Sequence, residues 1–145
     1  MLRTMALISL VSGALAVSAA ERPPVKGQVT FLYYADLERA DAFYGETLGL
    51  DKEFDLTWVK IYKLSETSSV GLVNATGGAH RPSSDKPVMV SLVVDENQVE
   101  TWWSYLKAQG VDVGDPPKTG ADGAVKAFGF KDPEGYSLEV FAWLP

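Results

Sequence analysis

The stretch VTFLYYADLERADAFYGETLGLD, residues 29–51, decides the fold because the chain repeats its pattern. It reads as an apolar strand, a helix that begins after Asp36 and a helix stop at Gly49. A shift of 61 positions aligns it without a gap with VSLVVDENQVETWWSYLKAQGVD, residues 90–112, where Asn97 takes the place of the capping aspartate. The matches fall at helix starts, helix stops and apolar positions. Two copies of one supersecondary unit are therefore predicted.

Strand-like segments follow each predicted helix. Alternating apolar patterns predict three strands after the first helix and, after a loop, a closing hairpin after the second helix. The turn Asp132-Pro133-Glu134-Gly135 joins that hairpin, since proline suits the second turn position and glycine tolerates a positive φ. Both copies are therefore predicted to have βαβββ order. The predicted division is module 1 at about residues 28–75, a linker rich in glycine, serine and proline at residues 76–86, and module 2 at about residues 87–145.

Composition and the first 20 residues restrict the class of protein. The chain has 145 residues, of which 46% are hydrophobic and 22% are charged, and this suits one globular domain with a core. Arg3, the uncharged residues 5–17 and the small residues up to Ala20 are typical of a secretory signal peptide. We therefore expect residues 1–20 to be removed and a single domain, residues 21–145, to be exported to the periplasm or secreted.

Charge and cysteine content exclude several partners and chemistries. The net charge is −6, so the chain does not suit the phosphate backbone of nucleic acid. The apolar run of the signal peptide is too short to span a bilayer, and no membrane association is expected once it is removed. The chain has no cysteines, which excludes disulfides, thiol catalysis and thiolate metal sites.

Two motifs add a family resemblance to the repeat. The first helix carries D-L-E-R…F-Y…L-G-L within residues 36–50, and the closing hairpin carries D-P-E-G-Y-x-L-E-V at residues 132–140. Together with the repeat they resemble the vicinal oxygen chelate superfamily, which contains glyoxalase I, extradiol dioxygenases, fosfomycin-resistance enzymes and bleomycin-resistance binding proteins. The resemblance implies an α+β fold in which two tandem βαβββ modules form a curved mixed sheet, a cup with the helices on its convex side and ligands on its concave side. It does not select one function, because the superfamily places different chemistries on one scaffold.

The resemblance also bears on a metal site. In metal-dependent members, four strands each supply one ligand, usually His or Glu, to a divalent ion. The resemblance places these positions at Val29, at or beside Gly71, within residues 88–90 and at Glu139. Of these only Glu139 can be a ligand, and one carboxylate cannot hold a catalytic ion against water. We therefore expect no metal ion and no other cofactor.

Aromatic side chains take the place of these ligands as the candidate site. Strand alternation is expected to turn them, together with Glu139 and Lys60, towards the cup. The predicted ligand-binding residues are Phe31, Tyr33, Trp58, Lys60, Tyr62, Glu139, Phe141 and Trp143. The alternative is that these aromatics fill a core or a dimer interface. For the set as a whole, the loss of the metal ligands favours a binding pocket with apolar walls.

Two titratable residues allow more than one reading. Glu139 either lies on the polar face of an edge strand or points into the cup. In the cup, Lys60 would be its partner. Without a partner, the carboxyl would have a raised pKa and would serve as acid or base. His80, the single histidine of the chain, lies in the linker. That position favours an exposed bystander over a ligand or a general base.

Three functions are compatible with the sequence. The leading hypothesis is an exported, metal-independent protein that binds a small apolar, aromatic or amphipathic molecule, resembling the bleomycin-resistance type, as a homodimer. The second is a lyase, isomerase or oxygenase-like enzyme in which Glu139 acts with Tyr33 or Tyr62, with or without a metal ion bound in an unusual way. The third is a protein-interaction module whose aromatic face meets another protein.

Overall fold

The computed structural model describes residues 22–145, which form two four-stranded mixed sheets, each packed against one α-helix. The predicted signal peptide, residues 1–20, lies outside the described residues. Among residues 22–145, no helix combines the length and the apolar composition that crossing a membrane requires.

The two sheets repeat one topology. Module 1 contains β1 (Gln28–Tyr34), α1 (Leu37–Ala42), a π-helical turn (Phe43–Thr47), β2 (Lys52–Leu56), β3 (Val59–Ser65) and β4 (Ser68–Asn74). Module 2 contains β5 (Met89–Val93), a 3₁₀ turn (Glu96–Gln98), α2 (Val99–Ala108), β6 (Lys118–Gly120), a second 3₁₀ turn (Ala121–Gly123), β7 (Val125–Lys131) and β8 (Ser137–Trp143). The strand orders are β1-β4-β3-β2 and β5-β8-β7-β6, and only the pairs β1–β4 and β5–β8 are parallel. The predicted α+β class with tandem βαβββ modules is confirmed.

Local signals set three helix boundaries as predicted. The Asp36 carboxylate accepts a hydrogen bond from the Arg39 amide at 3.0 Å, so it caps α1. Gly49 and Gly110 follow the helical segments with φ of +68° and +81°. This left-handed backbone is open to glycine at little cost, and it ends a helix.

The start of the second helix was predicted incorrectly. Asn97 was expected to cap it, but Asn97 lies inside the 3₁₀ turn Glu96–Gln98, and the helix follows without a side-chain cap. The chain therefore enters α2 through a 3₁₀ turn rather than through a capping side chain.

The predicted shift of 61 positions between the two copies is one residue too large for the strands. It matches Val29 with Val90, yet Val29 is 40% exposed and Val90 is 7% exposed. Their side chains point to opposite faces of their sheets. A shift of 92 − 32 = 60 instead matches Leu32 with Leu92, which are both buried.

For the helices, the predicted shift of 61 positions is one residue too small. A shift of 99 − 37 = 62 matches Leu37 with Val99, and the same shift matches Tyr44 with Leu106; all four are buried. The difference between the strand and helix shifts comes from the 3₁₀ turn in module 2, which module 1 lacks. The duplication is confirmed, and its predicted register is wrong.

One hydrophobic core joins the helix-bearing faces of both sheets. Burial of these apolar and aromatic groups stabilises the fold by removing them from water. The largest fully buried side chains include Tyr34, Tyr44, Tyr62, Leu32, Leu72, Leu106 and Leu138.

The closing turn of module 2 also holds the end of β1. The Tyr136 hydroxyl accepts a hydrogen bond from the Tyr33 amide and donates one to the Tyr33 carbonyl, each at 3.0 Å. The Glu134 carboxylate accepts bonds from the amides of Ala35 and Asp36 at 2.8 and 3.2 Å. The D-P-E-G-Y motif therefore ties the two modules together besides turning the hairpin.

A buried carboxylate completes this connection. Asp132 is only 5% exposed and accepts bonds from the Tyr34 hydroxyl at 2.6 Å and from the amides of Glu134 and Tyr136 at 2.9 Å. These donors compensate the cost of burying the charge. Burial, followed by the neighbouring Tyr44 and Asp132, raises the pKa of the Tyr34 hydroxyl far above its usual value.

Candidate functional site

Each sheet has one face turned away from its helix, which we call the open face. Residues paired directly across strands share a face. In module 1, Leu32 pairs with Leu72 and both lie in the core, whereas Phe31 pairs with Gly71. The open face of module 1 therefore carries Phe31 and, two residues on, Tyr33.

The ring of Phe31 lies directly over Gly71. A Cβ placed on residue 71 would collide with that ring. Gly71 is therefore required by close packing. Any side chain at this position would have to displace Phe31 from the open face.

Trp58 lies at the edge of this face rather than in a strand. It occupies the turn between β2 and β3 and packs against Gly77 of the linker, where an added Cβ would lie 2.6 Å from the Trp58 Cβ. The linker then passes the end of the open face. Gly78 packs against the Tyr33 ring, and His80 meets that ring edge to face with centroids 5.2 Å apart.

His80 is exposed, as expected for a linker residue, but it borders the candidate site through Tyr33. Alternation along a strand could not reveal this, because the contact joins residues 47 positions apart, 80 − 33 = 47.

The expectation that Lys60 and Tyr62 face the cup is wrong. Tyr62 pairs with Val70 and Lys60 pairs with Leu72, so both stand on the helix-bearing face. Alternation could not tell which side of β3 faces the helix, because Val59 and Ile61 make its other side apolar as well.

The contacts of these two residues confirm their position. The Tyr62 hydroxyl donates to the Asp41 carboxylate at 2.5 Å, and burial together with this bond raises the pKa of Tyr62 above its usual value. Lys60 forms its ion pair with Asp55. Neither residue is a partner of Glu139. The predicted ion pair between Lys60 and Glu139 and the predicted joint action of Tyr62 and Glu139 are therefore wrong.

The open face of module 2 carries the other predicted residues. Glu139 pairs with Ser91 on β5 and with Gly129 on β7, whereas its neighbours Leu138 and Val140 are buried in the core. The Ser91 hydroxyl donates to the Glu139 carboxylate at 2.7 Å.

Phe141 and Trp143 continue the same face along β8. Their rings meet edge to face with centroids 5.1 Å apart, and Trp143 is 67% exposed. Edge-to-face packing holds the two rings in a defined mutual orientation. They therefore form a short aromatic wall next to Glu139.

Module 1 contains a second pair of serine and glutamate that the sequence analysis missed. Ser69 on β4 is buried and donates from its hydroxyl to the Glu53 carboxylate at 2.5 Å. Ser69 pairs with Val29 and so lies on the open face. In the sequence, the polar Ser69 within an otherwise apolar strand could have indicated this pair.

Most of the exposed large apolar side chains lie on the open faces or at their edges. Exposed apolar side chains concentrated on one face often mark a binding surface. On the open faces and at their edges, those at least 40% exposed are Val29, Phe31, Phe54, Leu56, Trp58, Met89, Val93 and Trp143; Val25 and Val88 are also at least 40% exposed and lie elsewhere.

Comparison with known proteins identifies the family of this chain. The family model of the Glyoxalase/Bleomycin resistance protein/Dioxygenase superfamily matches residues 27–140. The chain belongs to this superfamily. The resemblance inferred from its repeat and motifs is thereby confirmed. Among curated proteins, none is similar enough to match.

Solved structures of the superfamily share the fold. A glyoxalase/bleomycin resistance protein/dioxygenase from Nocardioides is 23% identical, with a TM-score of 0.69 over 86% of this chain and 87% of that chain. The lactoylglutathione lyase from Agrobacterium tumefaciens is 22% identical, with a TM-score of 0.67 over 83% and 96% of the two chains. A glyoxalase/bleomycin resistance protein from Catenulispora acidiphila is 21% identical, with a TM-score of 0.64 over 83% and 100%. At these identities the likeness concerns the fold alone.

The open faces do not fit the resident metal ion of the metal-dependent superfamily members. Val29 is apolar, the Phe31 ring fills the space over Gly71, and Met89 is the open-face residue of the segment 88–90. Within residues 22–145, no three side chains of His, Asp or Glu are grouped so that they could hold a metal ion. A lone carboxylate is too weak a donor set for a divalent ion.

Proposed function

We propose that this protein binds a small aromatic or amphipathic molecule on its open faces without a metal ion, in the manner suggested by its resemblance to bleomycin-resistance proteins. The observation that carries the proposal is the packing of Phe31 over Gly71, because an aromatic ring lies at or beside the position to which the resemblance assigns a metal ligand. Exposed aromatic and aliphatic groups around it supply apolar walls.

Binding to these walls can be tested with 1-naphthylmethanol, a neutral aromatic probe. We expect it to quench the fluorescence of the native protein, and Phe141→Ala and Trp58→Ala to weaken its affinity about threefold or more, since an aromatic contact contributes about 0.5–1.5 kcal/mol beyond its buried area. Tyr105→Ala is the matched control, because Tyr105 is an exposed aromatic residue on α2. Unchanged affinity in both open-face variants would remove the pocket assignment.

We also propose that the protein is a homodimer in which a second copy covers part of the open faces. Support comes from Met89, Val93 and Trp143, each more than half exposed on module 2. Sedimentation equilibrium should give twice the monomer mass for the native protein, and Val93→Lys should shift the equilibrium towards monomer. A native protein that stays monomeric at high micromolar concentration would contradict this proposal.

Export is proposed from the sequence of residues 1–20. Mass spectrometry of the protein purified from its own host should find a mature chain that begins at residue 21. A chain that retains Arg3 would contradict export by this route.

An enzyme is the second candidate, and the hydrogen-bonded Glu139 on an accessible face favours it. Glu139 would act as acid or base in a lyase or isomerase reaction. A lactoylglutathione lyase with a similar structure is consistent with this alternative. Elemental analysis of the purified protein separates the candidates, because a stoichiometric transition metal would overturn the metal-free proposal. A protein-interaction module, the third hypothesis, would show no affinity for the naphthyl probe.

A further inference from the structure

The carboxylate of Glu139 has no cationic partner among residues 22–145. Its one side-chain hydrogen bond comes from Ser91, and no lysine, arginine or histidine nitrogen in this part of the chain lies within 4.0 Å. The side chain is half-buried. A half-buried carboxylate that accepts one hydrogen bond from a neutral donor still has lone pairs and a negative charge with which to bind a cation.

The residues beside this carboxylate on the open face are small. Its cross-strand neighbours are Gly129, which has no side chain, and Ser91, which is small. Ser137 precedes it by two residues on the same face. Gly129 and Ser137 also line a shallow depression of about 390 Å³, of which Glu139 itself is not a lining residue.

Large apolar groups follow on the same face. Phe141 follows Glu139 on the same face and packs against Trp143, while Val93 pairs directly with Phe141. A ligand that reaches the carboxylate therefore places its remaining surface against aromatic and aliphatic side chains.

Lys131, a cation on this face, is engaged elsewhere. Lys131 pairs with Ser137 across the strands, and its ammonium donates to the Ser137 hydroxyl at 2.6 Å rather than to Glu139. The net charge of −6 adds a long-range attraction for cations.

We infer that the molecule bound by module 2 carries a protonated amine that pairs with Glu139 while its flat apolar part packs against Phe141 and Trp143. This inference rests on the proposed binding function and specifies the chemical class of the ligand. An ammonium group satisfies the open carboxylate, and the rings remove the apolar part from water.

Three probes with the same ring test the charge requirement: 1-naphthylmethylamine, which is cationic at pH 7, neutral 1-naphthylmethanol and anionic 1-naphthoate. We expect the amine to bind the native protein about fivefold more tightly than the alcohol, as for a half-exposed ion pair, and the acid to bind most weakly. Glu139→Gln should abolish the preference for the amine over the alcohol, and an unchanged circular dichroism spectrum shows that the variant is folded.

Glu53→Gln is the matched control, because it removes the carboxylate of the other serine–glutamate pair and should leave the preference intact. Equal affinity for the three probes, or a preference that survives in Glu139→Gln, would overturn the inference and leave the binding function standing. A preference lost only in Glu53→Gln would also overturn it. Failure of all three probes to bind would overturn both the binding function and the inference.

Discussion

At the scale of single residues, Gly71 shows how one small side chain changes the chemistry that a fold can support. Its lack of a Cβ admits the Phe31 ring, which lies at or beside the position to which the resemblance assigns a metal ligand. This part of the open face is therefore apolar.

The close packing of Phe31 on Gly71 predicts a non-additive pair of substitutions. Gly71→Ala should lower the free energy of unfolding by about 1–3 kcal/mol, because the added methyl group collides with the ring. In a Phe31→Ala background the same change should cost much less. Denaturant unfolding of the single and double variants measures both effects.

Gly129→Ala provides the control, because a Cβ there would meet its nearest neighbour, the Leu138 carbonyl oxygen, at an ordinary 3.6 Å. This variant should be close to neutral. Equal costs for Gly71→Ala in the two backgrounds would contradict the proposed packing.

At the scale of elements, the two helices begin by different means. The Asp36 side chain caps α1, whereas the chain reaches α2 through a 3₁₀ turn that has no side-chain cap. That turn shifts the second helix relative to its strand, which explains why a gapless alignment cannot match both elements.

This difference predicts unequal effects of two similar substitutions. Asp36→Ala should destabilise the protein by about 1 kcal/mol, the usual cost of losing an N-cap, while Asn97→Ala should cost only a few tenths. Urea denaturation of the two variants checks the prediction. A larger cost at Asn97 would mean that its side chain caps α2 in solution.

The candidate site was predictable where residues lie in regular strands. Alternation placed Phe31, Tyr33 and Glu139 on the open faces because their strands extend without interruption on both sides. It failed at Lys60 and Tyr62, because β3 is apolar on both sides and its pattern does not say which side faces the helix. Local periodicity divides a strand into two faces, and only the packing of the sheet decides which face lies against the helix.

At the scale of the whole molecule, the two modules are joined by buried hydrogen bonds as well as by a common core. The Tyr34 hydroxyl reaches Asp132 across 98 positions of sequence, and the Tyr44 hydroxyl lies 3.2 Å from that of Tyr34. Burial raises the pKa of both tyrosines beyond the usual range.

These tyrosines predict a loss of stability in alkaline solution. Unfolded tyrosines lose their protons near pH 10, whereas the buried ones retain them, so deprotonation favours the unfolded chain as the pH rises above about 10. Each such tyrosine should then lower the free energy of unfolding by about 1.4 kcal/mol per pH unit. Urea denaturation between pH 8 and 11 measures the slope.

Tyr34→Phe should reduce that slope, although the variant loses the bond to Asp132 and is less stable at pH 8 by about 1–2 kcal/mol. Tyr105→Phe is the control, since Tyr105 is exposed on α2. An alkaline slope that Tyr34→Phe leaves unchanged would contradict the role of burial.

The sequence by itself determined the duplication, the cap at Asp36 and the stops at Gly49 and Gly110. It also determined the order of strands and helices apart from β6, which lies in a segment predicted as a loop. These features depend on the conformational preferences of residues within a few positions of one another. Only the tertiary structure decided that Phe31 covers Gly71, that His80 borders Tyr33 and that the closing turn holds β1. Such contacts join residues about 40 to 100 positions apart, and they follow from the way the strands pair and the modules pack rather than from any local pattern.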